Sequence, residues 1–472
     1  MSEELWRQSA CSVVELLKSG DVQPADLIEI AAARIEQTNP IVNSVVTTCF
    51  DRAMRHASDI RSCKAPSGLL HGLPVVIKDL DDVAGVRTTY GSPIYADHVP
   101  AASSAAVQAL EAQGAIVIGK SNTPEFGAGA NTFNDVFGTT VSPWDSVKTC
   151  GGSSGGSATA LATGQAWLAS GSDLGGSLRI PAAFCGVVGL RPSPGRVPRW
   201  PTATPFDPQS VVGPMARSVS DLGLMLDAMS VLDARDPLSF KTPENVFRQA
   251  AQTPLVPRRV AWTPDLGGCA PVDSEVRKIC AEAVASLAAL GSEVTSECPD
   301  FSRASDIFQV TRAHGMAVQH RDNYAQHKSR LKPDLLWNIE KGQGLTMSEL
   351  VKAEADRANL YQAMAHFFES HDLLITPTVM VPPFDATERY VTEVAGVVFD
   401  NYIDWVFHTF AITLTACPAI SLPCGFTKSG LPVGLQLVGR PRGEAELLSF
   451  SAAFEAAHEF VASVPIDPVV RA

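Results

Sequence analysis

Residues Cys150–Pro181 read CGGSSGGSATALATGQAWLASGSDLGGSLRIP, and the rest of the chain is organised around them. They contain two clusters of glycine and serine, Gly151–Ser157 and Gly175–Ser177. Dense glycines permit positive φ angles and close approach of a substrate to the main chain, so such turns are typical of a binding or reaction site. A flexible linker has similar composition, but apolar residues flank both clusters, at 158–168 and 180–190, and disfavour it.

Length and charge limit the class of protein. At 472 residues the chain exceeds the size of a usual single core, which predicts two domains or one large core with a subdomain. A net charge of −13 without a basic run argues against direct nucleic-acid binding. The N-terminus has no apolar signal region, and no apolar run approaches the roughly 20 residues that span a bilayer. A cytoplasmic protein without a membrane segment is therefore expected.

Cysteine usage and helix–strand alternation complete this outline. Ten cysteines without a CxxC pair predict reduced thiols, with neither a disulfide framework nor a zinc site. Amphipathic or apolar periodicity predicts the following elements in the first part of the chain: helices at 4–18, 24–37 (stopped by Asn39-Pro40), 52–63 and 101–113, and strands at 42–48, 74–78 and 115–118 (ended by Gly119). Such alternation indicates a layered α/β fold, in which ligands bind at the ends of strands.

The remaining chain is predicted by the same signals. The Pro-rich stretch Pro192–Pro214 predicts a long ordered loop, and a subdomain boundary is plausible near Pro254–Arg259. The polar stretch Phe301–Leu350 is interpreted as helical and as a contributor to a substrate pocket. Strands are expected at 260–262, 372–377, 419–423 and 433–438, and helices at 220–232, 273–290 and 444–458.

The first cluster also matches the G-x-S-x-G nucleophile elbow of α/β-hydrolases at Gly151–Gly155. That motif must directly follow a buried strand, and Pro143–Lys148 does not have the pattern of one. It also needs a histidine and an acid downstream; His408 and His458 are only the candidates that any large chain supplies. These points disfavour the elbow.

The second cluster makes better physical sense as an oxyanion site. Successive backbone N–H groups from Leu174 to Ser177, unobstructed by Cβ atoms at Gly175 and Gly176, form a nest that could stabilise an oxyanion after attack by the Ser177 hydroxyl. A serine nucleophile needs a base, and no histidine is near in sequence.

Lys78, which ends the apolar run Leu73–Lys78, is the candidate base. A lysine at a strand end often extends its amine to water, but if it is buried its pKa falls and the neutral amine can accept a proton. The nearby acids Asp79, Asp81 and Asp82 would oppose this by favouring the charged form.

These residues resemble the amidase signature family. Residues Gly151–Pro198 reproduce its GGSSGGS and G-[ST]-D-x-G-G-S-[IL]-R-I-P motifs, followed by CGVVGLRPSPGRVP. The segments HGLPVVIKD, GKSNTPEF, LITPT and ACPAISLPCGF…GLPVGLQLVG also fit, so the resemblance covers about residues 5–460. One departure is Ser142-Pro143-Trp144, where many members have Asn-Pro-Trp; this position is interpreted as structural.

The resemblance implies a fold and a domain organisation. The expected fold is an α/β/α sandwich around a large twisted mixed β-sheet. One amidase signature domain would span 1–472, with an N-terminal helical segment (1–64), a catalytic core (65–255) and a C-terminal part (256–472) that completes the sheet and contributes the substrate pocket.

The resemblance also implies a Ser-Ser-Lys triad. Ser177 would be the nucleophile, Lys78 the base and Ser153 the bridging serine, placed after a cis peptide bond from Gly152. The backbone N–H groups of residues 174–177 would form the oxyanion hole. Supporting roles would fall to Asp173 and Arg179, which match the motif and brace the turn, and to Ser154 as a hydrogen-bonding neighbour. Asn122 and Glu125 match a further motif but are not interpreted as catalytic.

The function implied is an amidase that cleaves a carboxamide, anilide or related C–N bond of a small molecule through an acyl-enzyme, without metal or cofactor. The alternative is the amidase subunit of a tRNA-dependent amidotransferase, which releases ammonia from glutamine. A binding protein on an inactive scaffold is disfavoured by the intact triad. The sequence is compatible with a homodimer but argues for no particular assembly. The aromatic residues that could line an acyl pocket are Phe126, Phe133, Trp337, Tyr402, Trp405 and Phe407.

Overall fold

A computed structural model describes residues 4–62, 68–458 and 463–471. Its strands are β1 (Val45–Thr48), β2 (Pro74–Lys78), β3 (Ile116–Ser121), β4 (Phe133–Asn134), β5 (Gly138–Thr139), β6 (Val141–Ser142), β7 (Asp145–Thr149), β8 (Leu168–Asp173), β9 (Val188–Arg191), β10 (Val211–Ala216), β11 (Arg259–Trp262), β12 (Glu293–Thr295), β13 (Leu373–Pro377), β14 (Glu393–Val394), β15 (Val397–Val398), β16 (Ala419–Phe426) and β17 (Pro432–Val438).

Eleven of these strands form one mixed sheet in the order β1-β3-β2-β8-β10-β9-β16-β17-β13-β11-β12. The run β3-β2-β8 is parallel, the middle of the sheet is antiparallel, and β13-β11-β12 is parallel again. Strands from both halves of the chain therefore share one sheet. Strands β2, β8, β10 and β16 are buried along nearly their whole length, which matches their continuous apolar or small-residue sequences.

Two groups of helices cover the sheet. The helices are α1 (Ala10–Ser19), α2 (Pro24–Val42), α3 (Phe50–Arg61), α4 (Ala105–Ala112), α5 (Gly155–Ala162), α6 (Arg179–Cys185), α7 (Val219–Met229), α8 (Val246–Ala251), α9 (Ser274–Ala289), α10 (Ala304–Gln319), α11 (Arg321–His327), α12 (Pro333–Gln343), α13 (Met347–Ser370), α14 (Phe407–Leu414) and α15 (Glu444–Ala456).

Helices α5 and α6 pack on each other and on the central strands, including β8 and β9. Helices α7, α8 and α15 form a second packed group, and α7 contacts the same two strands. Helices of both groups thus pack on the same central strands of the sheet. The predicted α/β fold with helices around a large mixed sheet is confirmed.

Two predicted boundaries are wrong for identifiable reasons. Helix α2 continues through Pro40 to Val42 instead of stopping before the proline; the helix ends only two residues later, where the Asn39 side chain bonds to the backbone of Ser44 and Val45. Gly119 does not end β3. A Cβ atom there would lie 2.7 Å from the Thr47 carbonyl oxygen, so the glycine permits the close pairing with β1.

Other differences are smaller. Strand β10 begins within the predicted Pro-rich loop and includes Pro214. The stretch 301–350 is helical as predicted, with α10 to α12 and the start of α13. The predicted end of the third helix at Cys63 lies outside the described residues. Among the helices described, none is both long and apolar enough to cross a bilayer.

The sheet positions the glycine-serine turns. Strand β2 ends at Lys78 and its parallel neighbour β8 ends at Asp173, immediately before the second turn. The first turn precedes α5, which packs on the same two strands. Parallel strands bring their carboxyl ends to one edge, so Lys78 and both turns meet there.

Candidate active site

Lys78 is fully buried and its amine is surrounded by hydroxyl groups. Its Nζ lies 2.7 Å from Ser153 Oγ, 2.9 Å from Ser154 Oγ and 3.0 Å from Ser172 Oγ. Burial lowers the pKa of Lys78 from its ordinary value to about 7, although the charges of Asp81 and Asp173 act in the opposite direction. Near neutral pH, much of this amine is therefore unprotonated.

The first turn holds Ser153 against this amine. The peptide bond between Gly152 and Ser153 is cis, as the family resemblance implies. Helix α5 begins directly after Ser154, whose backbone N–H donates to the Ser177 carbonyl oxygen at 3.1 Å. This bond links the two turns. Gly156 is needed for close packing, because a Cβ there would lie 2.3 Å from the Asn122 backbone nitrogen.

A short strand, β7, precedes the first turn, but it is not the buried strand that a nucleophile elbow requires, which agrees with the sequence prediction. It pairs with β6 in a separate two-stranded sheet, has one further antiparallel bridge from Lys148 to Asp385, and is only partly buried. The first turn therefore does not follow a strand of the central sheet, as a nucleophile elbow would. His408 is also placed away from the lysine, with its Nε2 2.9 Å from the Pro264 carbonyl oxygen, and His458 Nε2 lies 3.1 Å from Ser286 Oγ.

The second turn presents Ser177 to the same cavity that Ser153 lines. The structure corrects the oxyanion-hole prediction at one position: the Gly176 N–H donates to Asp173 Oδ1 at 2.9 Å and is engaged inside the protein. The N–H groups of Leu174, Gly175 and Ser177 have no acceptor among the described residues. Three of the four predicted donors thus remain as candidates.

Gly176 is nevertheless required by the turn. Its φ is +119°, and a Cβ atom would lie 2.3 Å from Thr409 Oγ1. Thr409 in turn donates to the Gly175 carbonyl oxygen at 2.6 Å. Helix α14 therefore supports the turn from behind, and a side chain at position 176 would displace that support.

Asp173 and Arg179 form a fully buried ion pair behind the turn, with Arg179 Nη2 2.8 Å from Asp173 Oδ1. Arg191 adds a second cation, donating to the Asp173 carbonyl oxygen at 2.7 Å. Burial alone would raise the pKa of Asp173, but the guanidinium groups of Arg179 and Arg191 lower it well below its usual range. Asp173 also accepts from the Leu178 N–H, so this carboxylate fixes both ends of the turn.

Sequence reasoning missed Ser172 and Arg191. Strand β8 alternates its side chains, so Ser170 and Ser172 lie on one face. Ser170 Oγ accepts from the Lys78 N–H at 3.1 Å, and Ser172 contacts the lysine amine. The sequence signal available for Ser172 was the serine repeat at every second residue in Ser170-Gly171-Ser172. Only the pairing of the strands shows which face of β8 meets Lys78.

Two adjoining cavities lie over the turns. The first, of about 110 Å³, is lined by Ser153, Ser172 and Ser177 together with apolar side chains such as Phe308 and Met316. The second, of about 490 Å³, shares several lining residues with it and has Asp81, Asp82 and Arg199 in its wall. Residues from 123–134, 301–350 and 400–415 all contribute to the first cavity, as the sequence predicts.

Of the aromatic candidates, Phe126 and Tyr402 line the first cavity. Trp405 is fully buried and packs edge-on against Phe384, and Phe407 packs against Phe410. Phe133 and Trp337 contact cationic side chains near the surface instead. Helical periodicity alone does not separate these core aromatics from cavity-lining ones.

Other predicted residues have structural partners. Glu125 accepts from Ser92 Oγ at 2.6 Å and from the Lys332 N–H at 2.8 Å, and Asn122 donates to Thr140 Oγ1 at 2.9 Å. Ser142 Oγ accepts from the Trp144 N–H at 3.2 Å. In the described ranges, no cluster of three or more His, Cys, Asp or Glu side chains could hold a metal ion.

Known proteins resemble this chain in both sequence and fold. The Amidase family model matches residues 26–448. An acylamidase of Rhodococcus erythropolis is 33% identical over 98% of each chain, and a glutamyl-tRNA(Gln) amidotransferase subunit of Synechococcus sp. (strain CC9605) is 31% identical over 98% of each chain. The crystal structure of a bacterial aryl acylamidase superposes with a TM-score of 0.87 at 27% identity, covering 97% of this chain and 99% of that one.

A second solved structure, 6-aminohexanoate cyclic dimer hydrolase complexed with substrate, has a TM-score of 0.88 at 28% identity and covers 97% of this chain and 98% of that one. Sequence and fold thus agree over nearly the whole length of both chains. The chain belongs to the amidase family, the amidase signature enzymes, which are hydrolases acting on carbon–nitrogen bonds.

Proposed function

We propose that the chain is an amidase that cleaves a carboxamide, anilide or related C–N bond of a small molecule through a serine acyl-enzyme. The observation that carries the proposal is the buried Lys78 amine, which is 2.7 Å from Ser153 Oγ and within 3.0 Å of two other hydroxyls. Because burying an amine without an ion pair is costly, a lysine in this position with a strongly shifted pKa is typical of a functional site.

Lys78 acts as the general base. Its pKa of about 7 makes the neutral amine available near neutral pH. The amine accepts the proton of Ser153, and Ser153 accepts the proton of Ser177. The Ser177 oxygen then forms a bond to the amide carbon, while the carbonyl π electrons move to the oxygen.

The tetrahedral oxyanion is stabilised by backbone N–H groups of the second turn. Leu174, Gly175 and Ser177 carry the candidate donors, because their N–H groups have no acceptor among the described residues. Loss of one such donor typically costs about 3 to 4 kcal/mol in the transition state. The bracing of the turn by Asp173 and Arg179 supports the required rigidity.

Breakdown of this intermediate reverses the proton path. Protonated Lys78 returns its proton through Ser153 to the leaving nitrogen, the C–N bond breaks, and amine or ammonia departs. Water then attacks the Ser177 ester and loses a proton to the same relay. The relay returns that proton to Ser177 Oγ as its bond to the acyl carbon breaks, and the released acid ionises to the carboxylate. Every proton is accounted for within the residues of the triad and water.

A labelling experiment tests the triad. A fluorophosphonate probe, followed by peptide mass analysis, should modify Ser177 in the wild-type protein and leave Ser177→Ala unlabelled. Hydrolysis of a panel of alkyl, aryl and cyclic amides is measured in parallel. Labelling at Ser153 in place of Ser177, or full activity of Lys78→Ala, contradicts the assigned roles.

A second candidate is the amidase subunit of a tRNA-dependent amidotransferase. It rests on the 31% identity to the Synechococcus glutamyl-tRNA(Gln) amidotransferase subunit over 98% of each chain. Glutaminase activity and co-purifying subunits distinguish the two. A chain that hydrolyses simple or aryl amides alone, without glutamine turnover, contradicts this candidate; glutamine turnover that requires further subunits would support it.

A further inference from the structure

Arg312 places a positive charge in the wall of the cavity that also exposes Ser177. Its side chain projects from α10 and is only 8% exposed. Of the described residues that line this cavity, only Arg312 carries a charged side chain. A buried charge is costly unless it is paired, so the position of this guanidinium requires a balancing group.

No carboxylate of the described residues supplies that group. Arg312 Nη2 donates to Tyr402 Oη at 2.8 Å, and its Nε is buried without a partner among the described residues. Asp334, whose charge acts on Tyr402, is paired with Arg389 at 2.8 Å. In the part of the chain that the structure describes, the guanidinium forms no ion pair.

The same contacts hold Arg312 in place. Tyr402 Oη also accepts from Asn338 Nδ2 at 2.5 Å, so the phenol is fixed by two donors. The guanidinium carbon lies 5.7 Å from the centre of the Tyr402 ring and 6.0 Å from that of Phe308. An arginine held by the Tyr402 hydroxyl and near the rings of Tyr402 and Phe308 is preorganised for a planar anion, because little side-chain entropy is lost when it binds.

We propose that Arg312 binds a carboxylate of the substrate, so that the preferred substrates are amides with a net negative charge. This inference rests on the proposed amidase function. A carboxylate would accept charge-assisted hydrogen bonds from the guanidinium. Because Arg312 and Ser177 line one cavity, a single small amide can place its carboxylate at the guanidinium and its scissile carbonyl at Ser177.

The charged side chains of this cavity also favour anionic amides over zwitterionic ones as substrates. Glutamine brings an ammonium group together with its carboxylate, and no described residue lining this cavity offers a carboxylate to it. Asp81 and Asp82 line the adjoining cavity instead. A monoanionic amide thus fits the first cavity better than glutamine does.

The carboxylate can belong to either half of the substrate, and two matched pairs distinguish these cases. Succinamic acid carries it on the acyl side and is compared with the neutral 4-methylpentanamide. N-butanoylglycine carries it on the amine side and is compared with N-isobutylbutanamide. For one pair, kcat/KM of the anionic member should exceed that of its neutral counterpart by about 10- to 100-fold, the range of a charge-assisted hydrogen bond. Glutamine is assayed alongside and should be the poorer substrate.

The variant Arg312→Met should reduce this anionic-to-neutral ratio to near one, mainly through KM. Arg321→Met is the matched control, because Arg321 is exposed and bonds only to the adjacent Asp322 among the described residues; its ratio should equal that of the wild type. Equal turnover of anionic and neutral amides by the wild type, or an unchanged ratio in Arg312→Met, overturns the inference while leaving the amidase proposal intact.

Direct binding tests whether Arg312 binds a carboxylate even if no amide of the panel is hydrolysed. The absence of hydrolysis would count against the amidase proposal alone. Levulinate, a ketone with a carboxylate, and its neutral counterpart 5-methyl-2-hexanone are titrated calorimetrically into the wild type and Arg312→Met. Levulinate should bind the wild type at least about tenfold more tightly than the variant. Equal affinity for both proteins overturns the inference.

Discussion

Lys78 and Lys120 are both fully buried, on adjacent parallel strands, yet their surroundings differ. Lys120 is paired with Asp79 at 3.3 Å and donates to the Asp81 carbonyl oxygen at 2.7 Å and to Thr88 Oγ1 at 2.8 Å. Lys78 has three serine hydroxyls as its side-chain partners.

Burial lowers the pKa of both lysines, but only Lys120 has a carboxylate in contact that stabilises its charged form. Asp79 is held in place by the N–H and hydroxyl of Thr89. Equal burial therefore produces a structural ion pair in one case and a candidate base in the other. The neighbouring side chains, not the depth of the lysine, decide which role is available.

Of the two lysines, only Lys78 is proposed to activate a nucleophile, Ser177, and the largest effect is expected at that serine. Ser177→Ala should lower kcat by a factor on the order of 10⁶, because it removes the oxygen that attacks the amide carbon. Steady-state assays on the best amide of the panel measure it. Ser62→Ala, at an exposed helix end, serves as control and should retain wild-type activity. Activity of Ser177→Ala within tenfold of wild type would show that another group attacks.

The same substitution should affect activity at one lysine and stability at the other. Lys78→Met should lower kcat/KM by about 10²- to 10⁴-fold, the usual contribution of general-base catalysis. Lys120→Met should instead lower the free energy of unfolding by about 3 to 5 kcal/mol, because it leaves Asp79 buried without its cation. Urea unfolding and kinetics on both variants give the comparison. Matching losses of stability in the two variants would remove the distinction.

The pH dependence sharpens the role of Lys78. The neutral amine is the active form, so kcat/KM should fall about tenfold for each pH unit below the pKa of about 7 and level off above pH 8. The direction of this pH dependence follows from the role of the amine. Acid protonates Lys78 and removes the base, whereas higher pH keeps the amine neutral and active. The profile is measured with a slow substrate for which chemistry limits the rate. A rate that is constant from pH 5 to 9 is incompatible with a lysine base.

The smallest effect is expected at Ser172, one of the three hydroxyls around Lys78. Ser172→Ala removes a hydrogen bond of about 1 kcal/mol, so kcat/KM should change less than about tenfold. The midpoint of the pH profile should move as well, since the amine loses a polar neighbour. Ser170→Ala, which contacts the Lys78 backbone rather than its amine, is the comparison variant and should leave the midpoint in place. Identical midpoints in both variants would show that Ser172 does not tune the amine.

Much of the fold could be predicted from the sequence because its signals are local. Strands such as Pro74–Lys78 and Val433–Val438 are buried apolar runs, and the helices carry apolar periodicity. Local signals fail where a contact distant in sequence overrides them. Gly119 remains inside β3 because the strand β1 packs against it, and Pro214 lies within β10.

In the candidate site, too, local sequence patterns predicted some residues and contacts distant in sequence hid others. Motifs along the chain were sufficient to select Lys78, Ser153, Ser177, Asp173 and Arg179, because each belongs to a dense and specific local pattern. Ser172 and Arg191 were missed, since their importance comes from side-chain contacts between separate strands and turns. The Gly176 N–H was misassigned for a related reason: the sequence does not show which way a turn directs each N–H.

By itself, then, the sequence predicted the α/β class, and its resemblance to the amidase signature family implied the family and the proposed triad, because motifs are defined by residue type and spacing. Only the tertiary structure decided that Lys78 has hydroxyl partners while Lys120 has a carboxylate, and that Arg312 enters the cavity without an acid beside it among the described residues. The reason is physical: the charge state of a buried group depends on distances to atoms from other parts of the chain, and folding alone sets those distances.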